Sequence, residues 1–122
     1  MDAWKLEATG KFTRKFKKYR KQHKPEAIAV LKNVQAFLDA LNGGVHPRQF
    51  TAGFIHVEPH GVVAIDERGD GVKGRATRLY IYALQTKETV YLITIGDKST
   101  QQRDIKDCKT FLKQLEKGTE NE

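Results

Sequence analysis

Apolar residues recur at helical spacing in the first third of the chain and at every second position in its middle. Residues 4–8 alternate briefly and predict a short first strand, which Gly10 breaks. Phe12, Phe16 and Tyr19 stand at i, i+4 and i+7, with basic residues in most positions between, and predict a helix over 11–22. Lys24-Pro25 interrupts it, because proline fits only the first turn of a helix. A second helix is expected over 25–41, with Ile28, Leu31, Val34 or Gln35, Leu38 and Leu41 as its buried stripe and Gly43-Gly44 as its stop. So short a break implies an antiparallel helical hairpin.

Strand spacing follows. Residues 53–58 and 62–66 flank Glu58-Pro59-His60-Gly61, where proline second and glycine fourth mark a turn. The glycine-rich, charged stretch 67–74 predicts a mobile loop. The strongest strands are 76–84 and 89–96, joined by a turn at 85–88. A last helix opens at Ser99, with Gln102 completing a capping box. Ile105, Cys108, Phe111 or Leu112, and Leu115 form its inward face, Gly118 ends it, and 119–122 form a flexible tail. The order β-α-α-β-β-β-β-α predicts an α+β fold in one domain, 1–118, with helices on one face of an antiparallel sheet.

Charge narrows the choice of partners. The 122 residues carry a net charge of +7, and between Lys5 and Lys32 ten basic residues meet only Glu7 and Glu26. Such a field attracts nucleic acid, an acidic protein or an anionic surface, or simply keeps the chain in solution. No apolar run approaches the roughly 20 residues that span a bilayer, so no membrane partner is expected. The start Met-Asp-Ala-Trp-Lys-Leu-Glu lacks the apolar segment of a signal peptide, which predicts a cytoplasmic protein. A lone Cys108, on an apolar helical stripe, allows neither an internal disulfide nor a cysteine cluster for zinc. Phosphate loop, dinucleotide fingerprint and nucleophile elbow are absent, and no cofactor is expected.

Alternation along 76–84 sets Leu79, Ile81 and Ala83 on one face and Arg78, Tyr80 and Tyr82 on the other. A guanidinium holds a phosphate through paired hydrogen bonds, so Arg78 is a candidate catalytic cation, or else a surface charge or an ion-pair partner. Arg75 can share that role from the loop edge. Tyr80 and Tyr82 can stack on bases or donate a phenolic proton, or can pack under the last helix. Gln101, Gln102 and Arg103 fall in the first turn of that helix, where backbone N–H groups favour an anion.

Arg78-Leu79-Tyr80-Ile81-Tyr82, Val90 to Ile95, Gly96-Asp97-Lys98 and Ser99-Thr100-Gln101-Gln102-Arg103-Asp104-Ile105, read with the element order, resemble the RelE/ParE superfamily of bacterial toxin–antitoxin toxins, most nearly its HigB-like branch. The motifs cover about a third of the chain and the order of elements most of the rest. The resemblance implies a helical hairpin before a curved antiparallel sheet with a closing helix. It implies a type II toxin that cleaves messenger RNA on the ribosome without a metal, an endoribonuclease held inactive by a cognate antitoxin. The ParE branch instead inhibits DNA gyrase, and a non-catalytic nucleic-acid-binding module on the same fold is a further alternative.

Within that resemblance Arg78, Lys98, Asp97 and Tyr80 are the catalytic candidates. Lys98 ends the last strand, where the family's functional groups cluster, and Asp97 can act as base or orient it. Arg75, Tyr82, Gln101, Gln102 and Arg103 join as RNA contacts, with Lys15 and Lys18 of the basic first helix holding ribosomal RNA. Family members often carry a histidine or tyrosine after the last strand. None follows Lys98 here.

His56, Glu58 and His60 alternate as a two-histidine, one-carboxylate metal site would, but Pro59 breaks the extension, and no metal site is expected. His23 and His46 read as solvated loop residues. Arg68-Gly69-Asp70 carries no weight.

Overall fold

The computed structural model describes residues 3–69 and 76–120, with side chains to Gly118. The elements are β1 (Lys5–Ala8), α1 (Gly10–Gln22), α2 (Lys24–Asn42), β2 (Ile55–Val57), β3 (Val62–Ile65), β4 (Arg78–Leu84), β5 (Thr89–Gly96) and α3 (Gln101–Glu120). One five-stranded sheet has the order β1-β5-β4-β3-β2. Its β2–β3, β3–β4 and β4–β5 pairs are antiparallel, with short turns joining β2 to β3 and β4 to β5. β1 departs from the expected antiparallel sheet. It runs parallel to β5, with Lys5 opposite Thr89 and Ala8 opposite Leu92.

Helices cover both faces, not one. Leu79, Ile81, Ile65, Val90 and Ile95 pack with Phe12, Val30, Val34 and Phe37 beneath α1 and α2. Val62, Ala64, Tyr80 and Ile93 pack with Cys108 beneath α3. Burying both faces of a central strand needs apolar surface on both, and the Tyr80 ring supplies it. Tyr80 pairs with Thr94 and Ile81 with Leu92, so Ile93 is an extra residue at a bulge.

Thr9 opens α1, its hydroxyl accepting from Phe12 N at 3.0 Å. Only His23 separates α1 from α2, and Pro25 sits in the first turn of α2, where a missing N–H costs nothing. The inward stripe of α2 is Val30, Val34, Phe37, Leu38 and Leu41. Ile28 and Leu31 instead remain 39% and 37% exposed, because α2 carries two apolar faces and the one with Phe37 takes the core.

β1 stops at Leu92, and α1 continues along the edge of β5 that it leaves. Thr9 N donates to Leu92 O at 3.1 Å, and its hydroxyl to Ile93 O at 2.9 Å. Beyond β5, Asp97 caps a short 3-10 turn, Lys98–Thr100, before α3 begins. The cap is therefore Asp97 with Thr100, not Ser99 with Gln102. Gly118 does not end α3, which runs to Glu120. Arg75, Asp70 and most of the expected 67–74 loop lie outside the described residues. Among the described residues no helix is long and apolar enough to cross a membrane.

Candidate functional site

Arg78 opens β4, and its strand partner Gly96 closes β5. Ile65 pairs with Leu79, which sets Asp66 beside Arg78 at the same end of the sheet. His56 pairs with Ala64 on β3, two positions from Asp66, so the three side chains point to one face. Asp66 is 2% exposed. Its Oδ2 receives His56 Nε2 at 2.6 Å, Arg68 Nε at 3.2 Å and Arg78 NH1 at 3.3 Å. Its Oδ1 accepts Arg68 N at 2.8 Å. On the backbone, Asn33 Nδ2 of α2 donates to Asp66 O at 2.8 Å. A carboxylate this deep is tolerable only with such partners.

Sharing Oδ2 among three donors leaves the five-donor guanidinium of Arg78 far from saturated by this one carboxylate. The Arg78 side chain is 17% exposed and that of His56 26%. The arrangement is a partly exposed cation and a partly exposed imidazole aligned on one buried acid at a rim of the sheet. Such a rim can receive a phosphate and exchange a proton.

Further polar groups lie at this end of the sheet. Glu67 is buried, its Oε2 has no hydrogen-bond partner among the described residues, and burial pushes its carboxyl above the ordinary 4.5. The Tyr19 hydroxyl bonds Thr77 Oγ1 at 2.6 Å. Burial raises the Tyr19 phenol, and the negative charges of Asp97 and Glu67 add to the effect.

The sequence candidates divide. Arg78, Asp97, Lys98 and Gln101 belong to one end of the sheet and the start of α3. Lys98, Gln102 and Arg103 are exposed there, and Gln101 is half-buried. Asp97 Oδ1 accepts Ser99 N at 2.9 Å and Ser99 Oγ at 2.6 Å, so this carboxylate caps the turn that leads into α3. Capping explains its position.

Tyr80 leaves the candidate set. It is fully buried beneath α3, its hydroxyl has no partner among the described residues, and burial raises its pKa. No base or phosphate reaches it. Tyr82 is half-buried four residues further along β4, about 13 Å from Arg78 at roughly 3.3 Å per residue. It sits near Gly61 and lines a separate groove of about 910 Å³ with Arg48, Phe50, Val57 and His60.

Lys15 is likewise no open RNA contact. Its Nζ donates to Thr94 Oγ1 at 2.8 Å and to the buried Asp104 at 2.7 Å. Lys18 stays exposed on α1. Arg75 falls outside the described residues.

His56, Glu58 and His60 do not converge. His56 turns to Asp66, while His60 lies in a turn with φ 64. Among the described residues no three His, Cys, Asp or Glu side chains could hold a metal ion. His23 is not a solvated loop residue: it is half-buried, 4.9 Å from the Tyr19 ring by centroid.

Pairing of His56 with Asp66 is what the sequence reading missed. The signal available was an acidic residue just past the end of one strand and a histidine in the strand before it, across a hairpin whose register the turn determines. No family model, no curated protein and no solved structure matches the chain.

Proposed function

We propose that this chain is the toxin of a type II toxin–antitoxin system, a RelE/ParE-type protein of the HigB-like branch that cleaves messenger RNA on the ribosome in the cytoplasm. The observation carrying this reading is Arg78, aligned by the buried Asp66 at the sheet end from which Gly96-Asp97-Lys98 leads into α3. The element order, with a helical pair before the main sheet and a closing helix, supports the same reading.

In such a reaction the ribose 2′-oxygen attacks the adjacent phosphorus and the bond to the 5′-oxygen breaks. A 2′,3′-cyclic phosphate and a 5′-hydroxyl remain. Charge gathers on the phosphoryl oxygens, where Arg78 would hold them and the Lys98 ammonium would make the local potential more positive. Arg103, with Gln101 and Gln102, lies where the N–H groups of α3 favour the RNA backbone. Lys18 and its exposed neighbours on α1 would bind ribosomal RNA through charge. A cognate antitoxin is the implied protein partner.

Controlled expression of the chain alone should stop growth and translation, and mapped RNA ends should show internal cuts. Arg78→Ala with Lys98→Ala should relieve it, and undiminished toxicity would reject the site. A second reading is favoured by the burial of Tyr80, which removes one of the four expected catalytic groups. It is a non-catalytic protein of the same fold, either a ParE-like gyrase inhibitor or a nucleic-acid-binding module. Labelled precursors separate the two: replication fails first under a gyrase poison, translation under a ribonuclease.

A further inference from the structure

Resting on the ribonuclease reading, we propose that His56 is the proton acceptor of the site and that His56, Asp66 and Arg78 form one phosphate-binding acid–base unit. An ionised carboxylate only accepts, so the 2.6 Å contact from His56 Nε2 to Asp66 Oδ2 puts the ring hydrogen on Nε2. In the neutral ring Nδ1 then carries the lone pair. Among the described residues of this end of the sheet, Asp66 is surrounded by donors and Tyr80 is covered, so neither competes with the imidazole for the proton.

Arg78 bonds the same Asp66 oxygen as His56, so imidazole and guanidinium are neighbours held by one rigid point. A phosphodiester seated on the guanidinium therefore brings its ribose within range of the ring. The 2′-hydroxyl gives its proton to Nδ1 as its oxygen bonds phosphorus, and the departing 5′-oxygen takes a proton from water. The imidazolium then returns its proton to solvent. Asp66 is a positioning residue, holding the tautomer and the ring plane, as carboxylates do for catalytic histidines.

Among the described residues, the charged groups near His56 are Asp66 at the end of β3, Arg68 in the following turn, Arg78 on β4 and Glu58 just past the end of β2. On the α3 side, Lys109 lines the small cavity beside Glu58.

Cleavage of messenger RNA on programmed ribosomes by the full chain tests it. His56→Gln keeps a donor for Asp66 and should lower kcat at least about a hundredfold while KM stays within about threefold. The fall in rate on the acid side, about tenfold per pH unit, should vanish in that variant, and added imidazole should restore His56→Ala. Asp66→Asn should lower kcat more than KM, and His60→Gln should change neither. Cleavage by His56→Gln within about threefold of the parent, with an unchanged pH profile, would overturn the proposal.

A second measurement separates the site from the reaction. Uridine 3′-monophosphate should shift the His56 ring protons in NMR spectra, and Arg78→Ala should abolish the shift. A shift in a parent chain that cuts no RNA would sink the ribonuclease reading and keep the anion site. An unmoved ring would sink the proposed unit whether or not RNA is cut.

Discussion

Lys15 on α1 and Asp104 on α3 meet at 2.7 Å, joining the two helical layers around the edge of β5 that β1 leaves open. Asp104 is fully buried, with Thr100 Oγ1 on its other oxygen at 2.7 Å, while Lys15 is 28% exposed. Removing one partner strands a charge. Lys15→Met should lower stability by about 3 kcal/mol in urea titration, and the pair Lys15→Met with Asp104→Leu should recover most of it. Additive losses in the double variant would mean that the pair is not coupled.

Gly96 is the floor of that contact. A Cβ there would strike both Asp104 Oδ2 and Thr100 Oγ1. Gly96→Ala should cost about 2–4 kcal/mol, measured by thermal or urea unfolding, and the loss should shrink in an Asp104→Ala background. An equal cost in both backgrounds would place the strain elsewhere.

Tyr80 predicts the opposite sign. Its hydroxyl is buried without a partner among the described residues, so Tyr80→Phe should leave stability unchanged or raise it by about 1 kcal/mol. RNA cleavage in the same variant should match the parent. A large loss of activity at full stability would return the phenol to the site.

Glu67 gives a pH dependence. Burial raises its carboxyl above 4.5 in the folded protein, so the folded state binds its proton more tightly than the unfolded chain. Its contribution is most favourable below 4.5 and declines as pH rises through the raised value. Glu67→Gln should flatten that decline, as urea midpoints between pH 4 and 7 would record. An identical pH profile in the variant would contradict the burial argument.

Cys108 is buried beneath α3, and burial pushes its thiol up to about 12. A neutral, covered thiol should react with a disulfide reagent only as the protein unfolds, at a rate that follows the unfolding transition. Prompt reaction at neutral pH in native buffer would show that α3 lifts.

Local chemistry was readable where neighbours in sequence determine it. The alternation of Leu79 and Ile81, the spacing of Phe12, Phe16 and Tyr19, and the turn at Pro59 each predict the element found there. Contacts between distant residues were not readable. Tyr80 looks like half of a wet face until α3 is laid over it. Ile28 and Leu31 make as good a stripe as Val30 and Phe37, and only the tertiary contact decides between them. His56 and Asp66 look ordinary apart, and Lys15 looks like one more surface cation until Asp104 is found opposite it.

The parallel pairing of Lys5 with Thr89 dictates an order of events during synthesis. A ribosome adds roughly 5–20 residues per second, so the first strand waits several seconds for its only neighbour to be made. Until then α1 has no edge to follow, and its apolar side can lie only on α2. The earliest-made strand is therefore among the last to be paired.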